Sequence, residues 1–144
     1  MYDKFVNEYE LNNLIWVWNG QDSAWYPGDD KVDIIGTDVY PGEHVYTSQY
    51  PKYIECVEVP ESVPDTYKLV TMSENGCLFD PELAIRDGAM WSYIGTWNGE
   101  FVSGSGAFNV YSEQYTESDM LKKFYGHENV ITRDELPDLK SYGD

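Results

Sequence analysis

The chain has 144 residues, the size of one domain, and 42% of them are hydrophobic, enough to bury a core. Nine basic residues stand against 26 acidic ones, a formal charge of −17 at pH 7. A phosphate polymer or an anionic membrane surface would meet a repelling field with too few Lys and Arg to neutralise it, so neither nucleic acid nor membrane is expected as a partner. A neutral polysaccharide is not repelled. Aromatic residues reach 16%, with 13 Tyr, 5 Trp and 5 Phe, and such amphipathic rings suit sugars as well as cores. Cys56 and Cys77 are the only cysteines. They are too few for a disulfide framework, lack metal-site spacing, and fall towards opposite ends of the expected sheet, so two free thiols are expected and no metal or cofactor. No apolar run approaches a membrane span and the first residues do not form a secretory signal, so the chain as given reads as cytoplasmic, or as a piece of something longer.

In chain order, Tyr2, Phe5, Val6 and Tyr9 recur at helical spacing, which predicts a helix over residues 1–12 closed by Asn12 and Asn13. LIWVW, residues 14–18, is a continuous apolar run stopped by Asn-Gly and reads as a strand buried on both faces. GQDSAWYPGDD is rich in turn residues and reads as loop. VDIIGTDVY, residues 32–40, is a second strand with a polar end. Tyr46, Tyr50, Tyr53, Ile54 and Val57 share a helix face, with Pro51 in the first turn because it lacks the N–H an interior position needs. Residues 61–66 read as a polar connection, and residues 68–73 as the third strand. Asp80-Pro81 is an N-cap followed by proline at the first helical position, opening a helix through Arg86. MWSYIG, residues 90–95, is a fourth strand, and a Gly/Ser-rich loop spans 100–106. Ser118 then caps a helix with Met120, Leu121, Phe124 and Tyr125 inward and Gly126 at its end. Residues 127–144 read as a polar tail. Strands alternating with helices argue for an α/β fold with a parallel sheet and right-handed crossovers.

In such folds ligands collect at the carboxyl ends of the strands. Those ends hold Trp18 and Asn19, Asp38 and Tyr40, Glu74 and Asn75, and Trp97 and Asn98. Each alone is ordinary loop polarity or a core aromatic; together they place carboxylates, amides, a phenol and indoles on one face. Glu74 can serve as the nucleophile of a retaining glycosidase, since a carboxylate can attack an oxocarbenium-like centre. Tyr40 can donate a hydrogen bond that holds its rotamer, and Trp97 can stack beneath a sugar ring. His44, the only histidine near this face, reads as an exposed loop residue.

NNLIWVWNGQ, WYPGDDKVDIIGTDVYPG and SENGCLFDPELAIRDGAMWSYIGTWNGEF resemble the second half of a glycoside hydrolase family 26 catalytic domain, the family of β-mannanases. The resemblance covers roughly residues 1 to 125. It implies half of a (β/α)8 barrel over residues 1–126, with residues 14–18, 32–39, 69–73 and 90–95 as strands five to eight. It places Glu74 on the family's nucleophile, Tyr40 on the strand-six tyrosine beside it and Trp97 on the strand-eight tryptophan of the sugar platform. Trp18, Asp38 and Asn75 complete the substrate-binding set, and β-mannan or a related β-glycan is the implied substrate.

Strands one to four, and with them the acid/base Glu and the His before it, have no counterpart here. A retaining enzyme needs two carboxyls about 5–5.5 Å apart, one of which protonates the leaving oxygen. Neither Asp38 nor Glu100 matches that role. The expected function is therefore a retaining endo-β-1,4-mannanase-like fragment, inactive alone, that pairs with the N-terminal half of the barrel or with itself. Two other readings stand beside it: a carbohydrate-binding protein using Trp18, Trp25 and Trp97, and an inactive remnant.

Overall fold

Four strands form one parallel sheet in the order β1-β2-β3-β4, and the computed structural model describes residues 1–59, 67–103 and 111–138. The strands are β1 (Val17–Trp18), β2 (Ile34–Val39), β3 (Leu69–Asn75) and β4 (Ile94–Thr96), and the helices are α1 (Tyr50–Val57), α2 (Pro81–Asp87) and α3 (Ser118–Tyr125). Helix α1 carries the chain from β2 to β3 and α2 from β3 to β4. Between β1 and β2 there is only loop, with the 3-10 turns Ser23–Trp25 and Asp29–Lys31. This is the alternation expected from the sequence, including the loop where a helix would otherwise stand. The expected connection at 61–66, residues 104–106 of the Gly/Ser-rich loop and residues 139–144 of the tail lie outside the described residues.

Local chemistry sets the helix boundaries. Pro51 lies in the first turn of α1, which starts at Tyr50 behind a left-handed Gln49. Tyr46 is therefore not part of that helix. Its hydroxyl instead accepts from the Glu117 N–H at 2.9 Å and donates to the Glu117 carboxylate at 3.2 Å. Asp80 caps α2 as expected, accepting from the Glu82 N–H at 3.0 Å, with Pro81 next and Gly88 at φ 76° closing the far end. In α3, Glu117 holds the capping position and Ser118 is the first helical residue, because the Ser118 side chain is bonded to Glu113. Phe124 is buried and Leu121 packs against the core, whereas Tyr125, expected inward, is exposed.

The edge strands are shorter than the apolar runs that predicted them. Only Val17 and Trp18 pair with β2; Leu14, Ile15 and Val17 are exposed, Ile15 to 72%. Loop rather than a helix connects β1 to β2, so this edge of the sheet is thinly covered. The first helix reduces to a short stretch that includes the π-helical turn Lys4–Glu8, tied down by Tyr2 and Phe5 against Trp16 with ring centroids 5.1 and 6.1 Å apart. At the other edge Met90 lies outside β4 and is exposed. The central strand β3 goes the other way and runs past Ser73 through Glu74 and Asn75, which pair with Asp38 and Val39.

The core lies between the sheet and the helices in two joined clusters. Ile35, Val70, Val32 and Cys56 make one. Val39, Met72, Leu78, Phe79, Ala84, Ala89 and Phe124 make the other. Tyr53 and Trp91, edge-to-face at 5.3 Å, touch both. Val130, beyond α3, also packs on the second cluster. Both cysteines are free and buried, as expected, and burial pushes the Cys56 thiol up to about 11.

Asp80 joins α2 to α3, because its second oxygen accepts from Lys123 at 2.8 Å, and Lys123 also reaches Glu82 at 2.8 Å. Burial opposes its ionisation, but the Lys123 ammonium and the Glu82 N–H outweigh that and hold its carboxyl below the usual range. Asp80→Ala is expected to lower the unfolding free energy by about 1–2 kcal/mol in urea titrations, most of it the lost cap. Asp80→Asn, which keeps a capping oxygen, is expected to cost less. The depressed folded value means that Asp80 stabilises the fold above its unfolded pKa and loses that contribution as pH falls through the folded one. The acid limb of stability against pH is therefore expected to flatten in Asp80→Asn.

Candidate active site

Successive residues of a strand face opposite sides of the sheet. In β2, Ile35 and Val39 face the helices, so Gly36 and Asp38 face the other way, and Tyr40 follows just past the strand end. In β3, Val70 and Met72 face the helices, and unbroken alternation would send Glu74 after them. The alternation breaks. Thr37 pairs with Met72, but Asp38 pairs with Glu74, so β3 holds one residue more than β2 at this point. Against β4 the same excess recurs between Met72↔Ile94 and Asn75↔Thr96. Ser73 is the extra residue, and this bulge puts Glu74 beside Asp38 on the face away from the helices.

On that face Tyr40 Oη donates to Glu74 Oε2 at 2.8 Å, and Asn19 Nδ2 donates to Asp38 Oδ1 at 2.8 Å. The Tyr40 ring lies 5.3 Å from Phe101, which in turn lies 4.4 Å from Tyr115. Gly76 makes room for this packing, since a Cβ there would come within 2.7 Å of both Phe101 and Tyr40. Partial burial of the phenol, then its hydrogen bond to Glu74 and the charges of Glu74 and Asp38, push Tyr40 up to about 12. The phenol therefore stays a neutral donor through the whole physiological range and fixes one oxygen of Glu74. Among the described residues Oε1 accepts no hydrogen bond, and no ion pair involves Glu74 or Asp38. A carboxylate held by a neutral donor, with a second oxygen uncommitted, is suited to nucleophilic attack.

The other candidate residues are placed differently. Trp97 extends the pairing beyond β4, its N–H donating to the Asn75 carbonyl at 2.8 Å. It lies one residue past the end of β4, with 47% of its surface exposed. Trp18 turns to the helix side, edge-to-face with Tyr26 at 5.2 Å and packed on the Ile35 cluster. There it lines a cleft of about 490 Å³ with Gln21, Thr37, Glu55 and Cys56. Asn75 is fully buried, its Nδ2 against Met72 Sδ at 3.4 Å, also on the helix side. Trp25 is exposed on the loop after β1. His44 is exposed and bonded to the Glu113 carbonyl at 2.8 Å. Among the described residues no group of three or more His, Cys, Asp or Glu is placed to hold a metal ion.

Asn19 stood among the strand-end residues without a role of its own and Phe101 was not singled out, yet one orients Asp38 and the other packs on Tyr40. Asn19 had a signal, since it follows Trp18 and must face the opposite side. Phe101 had none, because a loop residue reaches Tyr40 only through the fold.

A family model described as glycosyl hydrolase family 26 matches residues 1–135. A mannan endo-1,4-beta-mannosidase B from Piromyces sp is 36% identical over 138 residues, covering 95% of this chain and 21% of its own length. A mannan endo-1,4-beta-mannosidase from Thermothelomyces thermophilus is 32% identical, covering 94% of the chain and 25% of its own length. Among solved structures, the β-mannanase from a symbiotic protist of the termite Reticulitermes speratus, complexed with gluco-manno-oligosaccharide, superposes with a TM-score of 0.75 at 33% identity, over 94% of this chain and 39% of that one. A ruminal family 26 endo-β-1,4-mannanase superposes with a TM-score of 0.76 at 28% identity, over 94% and 29%. The chain thus spans about a fifth to two fifths of the proteins it matches, and its four-stranded parallel sheet with flanking helices is an α/β half-barrel.

Removing the carboxylate is expected to release the phenol. In Glu74→Ala the ionisation midpoint of Tyr40 should fall from about 12 towards the ordinary 10, read by NMR of ring-labelled tyrosine with Tyr40→Phe assigning the signal. An unchanged midpoint would show that burial and the charge of Asp38 hold it without Glu74.

Proposed function

The chain belongs to glycosyl hydrolase family 26, and on that premise we propose that it supplies the nucleophilic half of a retaining endo-β-1,4-mannanase-like hydrolase, with Glu74 as the nucleophile. The observation that carries this is the Tyr40–Glu74 hydrogen bond at the bulged end of β3, which fixes a carboxylate on the face away from the helices. The substrate is β-mannan or a related β-glycan, the class on which the similar mannosidases are named as acting.

In this reading Glu74 Oε1 attacks the anomeric carbon of a bound sugar. The bond to the leaving oxygen breaks, that oxygen takes a proton from the acid/base group, and a covalent glycosyl-enzyme forms. Water, deprotonated by the same group, then displaces Glu74. Tyr40 keeps the carboxylate oriented in both steps, and Trp97 offers its indole as a stacking surface for a sugar ring. Asp38, oriented by Asn19, lies beside Glu74 and can accept hydrogen bonds from sugar hydroxyls. Trp18 and Asn75 turn to the helix side, so their part is to support the strand ends rather than to touch sugar.

The proton donor is the part this chain does not provide. Asp38 accepts from Asn19 and faces Glu74 from the adjacent strand, so it is not placed as the acid. The donor comes from the other half of the barrel, on which this half docks through the edges of β1 and β4. A second copy of the chain is the other way to cover those edges. The exposure of Trp97 and Trp25 also favours a second reading, a carbohydrate-binding surface without turnover.

The test is hydrolysis of soluble β-mannan. The chain alone is expected to be inactive, and its mixture with an N-terminal half carrying the acid/base is expected to be active. In that mixture Glu74→Ala should lose about a thousandfold or more, with partial recovery when azide is added as an external nucleophile. Mannan binding by the chain alone, with no turnover in any mixture, would favour the binding reading.

A further inference from the structure

Ser73 comes one residue before the proposed nucleophile, and both neighbouring strands are hollowed out around it. On β2, a Cβ at Gly36 would overlap the Ser73 hydroxyl outright and come within 3.0 Å of Asn19 Oδ1, yet it would stay 3.4 Å from Ser73 Cβ. The hydroxyl is therefore the atom that overlaps this Cβ outright, and Asn19 Oδ1 is a second, tight neighbour. On β4, a Cβ at Gly95 would lie 2.7 Å from the Ser73 carbonyl oxygen. The hydroxyl itself is buried and has no hydrogen-bond partner among the described residues, an arrangement native interiors avoid. Ser73 is also the residue by which β3 exceeds β2, and it lies within the stretch that exceeds β4.

We propose that Gly36 is a positioning residue: the bulge at Ser73, admitted by the glycine that leaves room for its hydroxyl, turns Glu74 away from the helix layer and onto Tyr40. Unbulged, β3 would send residue 74 to the side of Val70 and Met72, since a one-residue slip exchanges the two faces. The bulge sits in a central strand, where both flanks are occupied by backbone. Gly36 leaves room for the Ser73 hydroxyl and Gly95 for its carbonyl oxygen. The catalytic meaning of this device rests on the reading of Glu74 as nucleophile; its geometry does not.

The whole chain can be tested through Tyr40, whose phenol reports contact with Glu74 without any substrate. Ring-labelled tyrosine is followed by NMR against pH, with Tyr40→Phe for assignment and Glu74→Ala defining the midpoint without the carboxylate. Ser73→Ala is expected to leave Tyr40 at about 12, because it removes a hydroxyl that bonds nothing. Gly36→Ala is expected to bring it down to the Glu74→Ala value, with far-UV circular dichroism unchanged. The double variant Gly36→Ala/Ser73→Ala is expected to return it to about 12, since the overlapping atom is gone and Asn19 Oδ1 has only to give by a few tenths of an ångström.

A Gly36→Ala chain that still titrates as the parent would overturn the proposal, as would a double variant that stays at the Glu74→Ala value. Should Gly36→Ala not fold, the double decides: folded and titrating as the parent supports the device, unfolded or titrating low sinks it. Mannan hydrolysis separates this from the proposed function. Absent turnover in every mixture alongside the expected Tyr40 pattern counts against the nucleophile and leaves the positioning intact.

Discussion

Between Met72 and Asn75, β3 runs one residue longer than the stretches of β2 and β4 it pairs with. That excess decides which side chains meet. It places Glu74 beside Asp38 and under the Tyr40 hydroxyl, and it returns Asn75 to the core against Met72. Without it, a carboxylate would be driven into a layer of Met, Leu and Phe side chains, where burial without a partner is costly. Bulges re-aim side chains at the ends of strands in this way, and glycines on both flanks leave room for the irregular ladder.

The two faces of the sheet then divide their work. The helix side carries nearly all the apolar burial, with α1 over β2 and β3, and α2 and α3 tied together through Asp80 and Lys123. The opposite side carries Asn19, Asp38, Tyr40 and Glu74, hydrogen-bonded in pairs across adjacent strands. Rigid packing behind the strands makes the polar ends in front of them hold still. The loop that replaces a helix between β1 and β2 leaves the first edge thinly covered, which is why Leu14 and Ile15 are exposed. With β4 the sheet has a second open edge, so what flanks this chain matters more to its fold than it would for a closed sheet.

Much of the architecture could be read in advance because it is written in local chemistry. Apolar runs marked the four strands of the described residues and helical spacings marked α1 and α3, while Asp80-Pro81 marked the start of α2 to the residue. Errors collected where neighbours decide. The run at residues 14–18 looked like a strand buried on both faces, since an apolar run does not reveal whether a second strand lies beyond it. Tyr46 shared the spacing of α1 but was captured by Glu117, 71 residues away. Ser118 looked like a cap and gave that position to Glu117, because Glu113 had taken its hydroxyl.

The candidate site shows the same division. Motif and strand-end placement singled out Glu74, Tyr40, Asp38 and Trp97 from the sequence, since turn residues directly after apolar runs mark where strands stop. Trp18 and Asn75 were grouped with them on the same ground, and the fold turned both to the other face. Sequence position says how close a residue is to a strand end; the side it faces depends on register with the next strand. One unpaired residue at Ser73 changes that side for everything after it. No local propensity encodes that residue's pairing, because it exists only between β3 and the two strands beside it.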